Sequence, residues 1–455
     1  MNKKTLVFLV FIFCLYHITI AAKKTSPIQF GLREATTDVE RFWVLYKTHT
    51  EALKKGNDIQ YAGIDTIKIE IPKEAKPIPL LDRTDFGNVV IIVKNRVKNY
   101  TLFLMQNPLE KYETRIELLE GKKRISDQGA FIVVIEDSTL WVKNREGYGS
   151  GFARKDILYV NNGKIEGSII SSYKTFNSKP QFSRCFVRTN PKTIQNITVI
   201  RDSSSLYKTA ILKIENQYNL KICNLSIKTP HNKLYGDNAI RLDNCYKVKL
   251  LDTTIDGTYS QKNKYGYGIT MINVSDVEIK NLRAHADWGV FGNNNISNIR
   301  LKNCDINRFD VHCYGKDVFV DKCVFRNLYN QFSSMYGTVA FENCVFINFV
   351  PVLIEPSYNA YTKFDLYFKS CMIIASKEKC YLISGGNIQG FDNNSRDELK
   401  KQEYPNLYID AITIKKPLSL NQYYIYKVNN QYLQWPIDAI PQLKGIKNLI
   451  FEDIK

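Results

Sequence analysis

Polar and apolar residues alternate with period two through much of the chain, and between residues 210 and 376 the alternation settles into one recurring phrase. Its copies are NLKICNLSI (219–227), KVKLLDTTI (247–255), DVEIKNLRA (276–284), NIRLKNCDI (298–306), DVFVDKCVF (317–325), TVAFENCVF (338–346) and DLYFKSCMI (365–373). Successive copies begin 28, 29, 22, 19, 21 and 27 residues apart, the length of one coil in a solenoid whose coils stack on each other. Period-two alternation predicts strands with one face toward a core and one toward water. A second strand precedes each of the earlier phrases, at AILKIE (210–215), AIRLDN (239–244), GITMIN (268–273), GVFGNN (289–294) and DVHCYG (310–315).

Two or three short strands per coil, joined by turns, resemble the pectate-lyase-like superfamily over about residues 160–390. The resemblance implies an all-β chain, a right-handed parallel β-helix solenoid with an N-terminal helix/strand cap. The stretch 35–55 has helical composition and is followed by TIKIEIPKE (66–74) and VVIIVKN (89–95). That order resembles the entry region of secreted β-helix carbohydrate enzymes, where a cap shields the open sheet edge from pairing with other chains. The expected organisation is a signal peptide at 1–22, a cap and first coils at 23–160, the regular β-helix at 161–390, and C-terminal coils or a cap at 391–455. Within the last segment, 392–403 is a polar break and LYIDAITIKK (407–416) resumes the alternation.

Stacking turns sequence columns into ladders. Asn224, Asp252, Asn281, Asn303, Lys322, Asn343 and Ser370 share one column, which the fold implies is a tight turn with side-chain amides bonded from coil to coil. The next column ends in Cys304, Cys323, Cys344 and Cys371, where earlier coils carry Leu225, Thr253 and Leu282. Free Cys is a compact core filler, and the CxxC-type spacing of zinc sites is missing, so these thiols are expected in the interior and no metal site is expected.

Residues 1–22 carry Lys3 and Lys4, an apolar run from Leu6 to Ile20 and a small-residue end at Ala21 and Ala22, the layout of a cleaved secretory leader. The chain is therefore expected to be exported, to a bacterial periplasm or exterior on its Lys-, Asn-, Ile- and Tyr-rich composition, and no other segment is long enough to span a bilayer as an apolar helix. The formal net charge is +18, which favours acidic partners. Without a nucleic-acid motif, the expected partner is a polysaccharide or glycan, with an anionic one favoured by charge.

Candidate chemistry gathers on the strand that precedes each phrase. If Val311 and Cys313 occupy the inward columns of Ile240 with Leu242 and Ile269 with Met271, then Asp310, His312 and Tyr314 face outward. The same register gives outward Arg241, Thr270, Phe291 and Asn293, with Gly268 and Gly289 as a floor without side chains. Insertions carrying Asp237, Tyr265 and Tyr267, together with His285, Asp287 and Arg308, precede these strands and would wall the same face. Asp287 and Asp310 lie one coil and two residues apart, a Cα separation of about 8 Å from ~4.8 Å across and ~6.6 Å along. That suits an inverting glycoside hydrolase, whose carboxyls stand roughly 6.5–9.5 Å apart. His312 would relay a proton and Arg308 would bind a uronate or sulfate. Arg241, Phe291, Asn293 and Tyr314 complete the expected binding surface.

Two alternatives remain open. The Asp310-Val311-His312 trio resembles the Asp-Pro-His-Asp strand of β-helix alginate C5-epimerases, which implies a base at His312 and β-elimination or epimerisation of a uronate; here Val311 and Cys313 replace the Pro and the second Asp. The Asn-Thr-Asp, Asp-Asp and Arg-Ile-Lys motifs of polygalacturonase-like hydrolases are missing. The other alternative is a glycan-binding or adhesive β-helix without catalysis. No cofactor motif is present, and Ca2+ binding would require the fold to gather several of the scattered Asp oxygens.

Overall fold

The computed structural model describes residues 23–120, 124–142, 152–173, 179–207, 209–229, 239–256, 267–285, 289–326, 329–333, 335–347, 350–354, 363–374, 379–385, 405–417, 422–427 and 443–454. The expected leader at 1–22 and the polar break at 392–403 lie outside them.

The chain winds into a parallel β-helix with three strands per coil. In the coil 209–228, Thr209–Glu215 belongs to a first sheet and Tyr218–Lys228 runs through a second sheet, bends at Asn224 and enters a third. Each strand pairs in parallel with its counterpart one coil on. The right hand of the solenoid follows from the near-universal right-handedness of parallel crossovers.

Interior columns are apolar because every inward residue meets the residue one coil above and below. The second sheet stacks Ile222, Leu250, Ile279, Leu301, Val320, Phe341, Phe368 and Ile409. The third stacks Ile227, Ile255, Ala284, Ile306, Phe325, Phe346, Ile373 and Ile414. All are buried in one continuous core, and each large apolar member contributes about 1.5–3 kcal/mol by leaving water.

The corners explain the polar columns. Asn224, Asp252, Asn281, Asn303, Lys322, Asn343 and Ser370 all have φ between 50° and 56°, the left-handed region that Asn and Asp tolerate best among residues with a Cβ. Their side chains also form the expected ladder: Asn281 Nδ2 donates to Asp252 Oδ1 at 2.7 Å, and Asn224 Nδ2 donates to Asn196 Oδ1 at 2.9 Å. A second corner ladder joins Asn216, Asn244 and Asn273 between the first and second sheets. Cys304, Cys323, Cys344 and Cys371 point into the core. Each thiol sits 3.3–3.4 Å from the carbonyl oxygen two residues earlier, so the column is interior packing.

The open end of the solenoid is covered by the helix Asp38–Lys55. Its start is fixed by a capping box between Thr37 and Glu40, and Gly56 ends it at φ 65°. Phe42, Leu45, His49 and Ala52 form its buried face. His49 is held between the Pro79 carbonyl and the Tyr61 hydroxyl, each at 2.7 Å, and burial pulls its pKa down to about 4.

One large element departs from the coil pattern. After Arg83–Asn95 and Tyr100–Gln106 complete a first coil, five strands between Glu110 and Phe186 form a separate antiparallel sheet. Coils resume at Lys192–Arg201, which pairs with Arg83–Val93 on one side and Leu220–Lys228 on the other. Where the sequence suggests coils from 161 onward, Lys164–Glu166 and Gln181–Phe186 belong to this excursion. The sheet docks on the outside of the solenoid. Tyr159 stacks on Tyr218 with ring centroids 3.9 Å apart, the Lys155 N–H donates to Asn295 Oδ1 at 2.8 Å, and Ile170 packs on Cys313 and Tyr314.

Candidate functional site

The outer face of the first sheet carries the site. Pairing puts Lys213, Arg241, Thr270 and Gly292 in one outward column. Asn293 pairs with Val311 and Asp310 pairs with Gln331, so the column continues through Asp310 and Gln331. Its middle is occupied by Tyr267, whose ring lies on two glycines. A Cβ at Gly292 would stand 2.3 Å from Tyr267 Cδ2, and one at Gly289 would stand 2.8 Å from its Cε1. Only residues without a side chain admit the ring at that height.

Tyr267 joins a buried polar cluster. Its hydroxyl lies 2.7 Å from His312 Nε2 and also bonds the Asp310 carboxyl. A carboxylate only accepts hydrogen bonds, so the Tyr267 hydroxyl donates to Asp310, and His312 Nε2–H donates to the Tyr267 oxygen. Arg308 Nε donates to Asp310 Oδ1 at 2.8 Å, and Nη2 contacts Oδ2, completing a two-point ion pair. Both members are fully buried, at 0 % exposure. The guanidinium sits 4.6 Å from the Tyr329 ring centroid and reaches Gln331 Oε1 at 3.3 Å.

Burial pushes the Asp310 carboxyl above its ordinary range, with Arg308 the largest influence in the opposite direction. Burial also weighs against the Arg308 charge, but Asp310, Tyr267 and Tyr329 outweigh it and hold the guanidinium protonated. Two-point pairing is what makes such a buried charge tolerable. Tyr267 and Tyr329 are half-buried, and His312, at 8 % exposure, is more accessible than the fully buried Arg308 and Asp310.

The sequence-derived constellation is only partly assembled this way. Asp310, His312, Arg308 and Tyr267 come together as one cluster. Asp287, Asp237, Tyr265 and the side chain of His285 lie outside the described residues, while the His285 backbone pairs with Asp256. Arg241 is outward and partly exposed, and pairs with Asp243 at 2.7 Å.

Three expected surface residues face elsewhere. Phe291 stacks on Ile269 and Asn293 on Met271, so both point into the core, and Phe291 packs on Phe309 at 5.0 Å. The expected register is one residue out on this strand. Tyr314 occupies a corner at φ 54° and is covered by Ile170 of the antiparallel sheet.

Cys313, expected inside, faces outward against the same sheet. The cause is a bulge: Asn293 pairs with Val311 and Asn294 with Cys313, leaving His312 as the extra residue. Asp310 does face outward but is covered by Arg308, and the glycine floor consists of Gly289 and Gly292, not Gly268 and Gly289, and carries Tyr267. Gly292, Gln331 and Tyr329 were not legible as site members; correct pairing of YNQF (329–332) beneath Asp310 was the signal that would have found them. Among the described residues, no group of three His, Cys, Asp or Glu side chains could hold a metal ion. No described helix is long and apolar enough to cross a membrane.

No family model matches the sequence, and no curated protein matches it. The fold is similar to that of the tailspike protein gp49 from Pseudomonas phage LKA1, with a TM-score of 0.53 and 12% identity over 94% of this chain and 76% of that one. Tailspike gp61 of Pseudomonas phage phi297 aligns with a TM-score of 0.48 and 11% identity over 89% of this chain and 80% of that one. PfbA, a surface adhesin of Streptococcus pneumoniae, aligns with a TM-score of 0.40 and 10% identity over 95% and 92% of the two chains. At these identities the likeness is one of architecture, and it identifies the chain as a parallel β-helix of the kind built into the gp49 tailspike.

Proposed function

We propose that this chain is an exported β-helix protein that acts on an anionic polysaccharide laid along the outer face of the first sheet, with Tyr267 and His312 as its proton-transfer pair. The observation that carries the reading is the 2.7 Å bond between Tyr267 Oη and His312 Nε2, beside the buried Arg308–Asp310 pair and at the solvent side of the cluster. A net charge of +18 supports an acidic substrate, and the leader at 1–22 supports export.

A hydrogen-bonded Tyr–His pair suits β-elimination or C5 epimerisation of a uronate. One member takes the proton from C5. In elimination the other protonates the O4 leaving oxygen as the C4–O bond breaks and a C4=C5 double bond forms; in epimerisation it returns a proton to the opposite face of C5. Asp310 and Arg308 act through Tyr267, fixing its hydroxyl and biasing its proton. Glycoside hydrolysis remains the second reading because the sequence sets Asp287 one repeat before Asp310 as a second carboxylate. Asp310 is already engaged by Arg308 and the Tyr267 hydroxyl, which favours the Tyr–His chemistry.

The test is incubation with a panel of acidic and neutral polysaccharides. Products absorbing in the ultraviolet as unsaturated uronates, lost in Tyr267→Phe and His312→Ala, are the expected result. New reducing ends without that absorbance, abolished by Asp287→Asn, would move the chain to the hydrolases. Retention of polymer without any product would leave only an adhesive role.

A further inference from the structure

A second constellation lies at the N-terminal end, away from Tyr267 and His312. Between the end of the capping helix, the first coil and the limb returning from the antiparallel sheet is a cavity of about 550 Å3. Lys192 lines it. This lysine is only 2 % exposed, and among the described residues the one hydrogen bond of its ammonium goes to Gln217 Oε1, at 2.6 Å. Its ammonium makes no ion pair among them; Asp82, the strongest acidic influence on it, is paired with Arg188 at 3.3 Å.

An ammonium has three donors, and a buried charge without a counter-ion costs several kcal/mol. The fold nevertheless holds this one in place. Gln217 is pinned by Asn107 Nδ2 at 3.3 Å and donates to the Glu215 carbonyl at 2.9 Å, so Lys192 keeps a fixed direction at the cavity wall. Burial pulls its pKa below the usual lysine value, a shift that an anion placed beside the ammonium would oppose.

The rim supplies the rest of a sugar site. Arg188 and Arg83 both line the cavity with well-exposed side chains, and Phe186, 53 % exposed, offers an aromatic surface beside them. Aromatic surface next to cations and side-chain amides matches a ring with an apolar face, hydroxyls and a carboxylate.

We propose that this cavity binds a carboxylate-bearing sugar, with Lys192 on the carboxylate, Arg188 at the rim and Phe186 against the ring. It shares with the function proposed above the acidic-glycan class but does not depend on the Tyr267–His312 pair. The test is calorimetric titration of the full chain with glucuronate and galacturonate, and with glucose and galactose as neutral counterparts. Uronates are expected to bind at least roughly ten-fold more tightly than the neutral sugars. Lys192→Met should weaken them roughly 10- to 100-fold, the scale of a lost charge-assisted hydrogen bond.

Arg188→Gln, at an exposed position, should weaken binding several-fold without touching the interior. His312→Ala should leave uronate affinity unchanged while abolishing polysaccharide products, so the two proposals fail separately. Equal affinity for neutral sugars, no uronate binding by the parent chain, or undiminished binding by both the Lys192 and Arg188 variants would overturn the proposal.

Discussion

Gly292→Ala is the smallest change that should dismantle the candidate site. The new methyl would stand 2.3 Å from Tyr267 Cδ2, so the ring must retreat by about 1 Å to reach ordinary contact. Gly292 does not use left-handed backbone, so the penalty comes from the ring and not from chain strain. Overpacking of this kind costs about 1–3 kcal/mol. Lifting the ring also stretches the 2.7 Å Tyr267–His312 bond and the bond to Asp310, each worth about 0.5–3 kcal/mol depending on charge. The combined expectation is about 2–4 kcal/mol of local destabilisation, read as roughly 30- to 1,000-fold faster amide hydrogen exchange in the strands around Tyr267 and Gly292. Loss of a positioned proton-transfer pair should lower turnover by about 10²–10⁴. Tyr267→Ala removes the ring, so adding Gly292→Ala to it should cost less than Gly292→Ala alone by about 1–3 kcal/mol. Additive costs, or exchange within about 0.5 kcal/mol of the parent in the single variant, would refute the glycine floor.

His49 should make the cap acid-sensitive. Above its unfolded pKa of 6.5 neither state is protonated; as pH falls toward the folded value of about 4 only the unfolded chain takes the proton, so stability declines by about 2 kcal/mol at pH 5. Denaturation midpoints at pH 7.5 and 5 should therefore separate in the parent and converge in His49→Gln. Arg308→Met leaves Asp310 buried alone and should cost about 3–5 kcal/mol, whereas Arg308→Met with Asp310→Leu should recover most of that loss; equal thermal midpoints for the two would contradict the ion-pair account. At the corner, Asn281→Val forces a β-branched residue to φ 56° and should cost about 1–2 kcal/mol, while Asn281→Gly, in the same thermal assay, should cost less.

The second and third sheets were legible because their signal is redundant. Seven copies of one phrase repeat the same inward columns, and the column from Asn224 to Ser370 marks the same left-handed corner each time. The antiparallel excursion was not legible. Its strands Ala130–Val142 and Phe152–Asn161 carry unbroken apolar runs, FIVVI and ILYV, buried on both faces, and such a run marks a buried strand without saying which strand lies alongside. Coil strands pair with a neighbour about one coil away; these pair with each other and with Gln181–Phe186.

The first sheet shows the sharper limit, because a register error of one residue reverses every side chain. In GVFGNN, Val290 and Phe291 are both apolar, so either could be assigned to the core column; pairing of Phe291 with Ile269 decides it and buries Asn293 with it. The next strand then needs one residue more than its neighbour. With strict alternation from Val311, Cys313 would return to the interior. The bulge instead keeps Cys313 outside against Ile170 and brings Tyr314 to the corner, setting His312 as the extra residue of the strand, bonded to Tyr267. Bulges concentrate where a side chain must be re-aimed. The feature that hid the register from the sequence is therefore the one that assembles the cluster: an extra residue in the strand, opposite a glycine floor that lets Tyr267 descend to meet it.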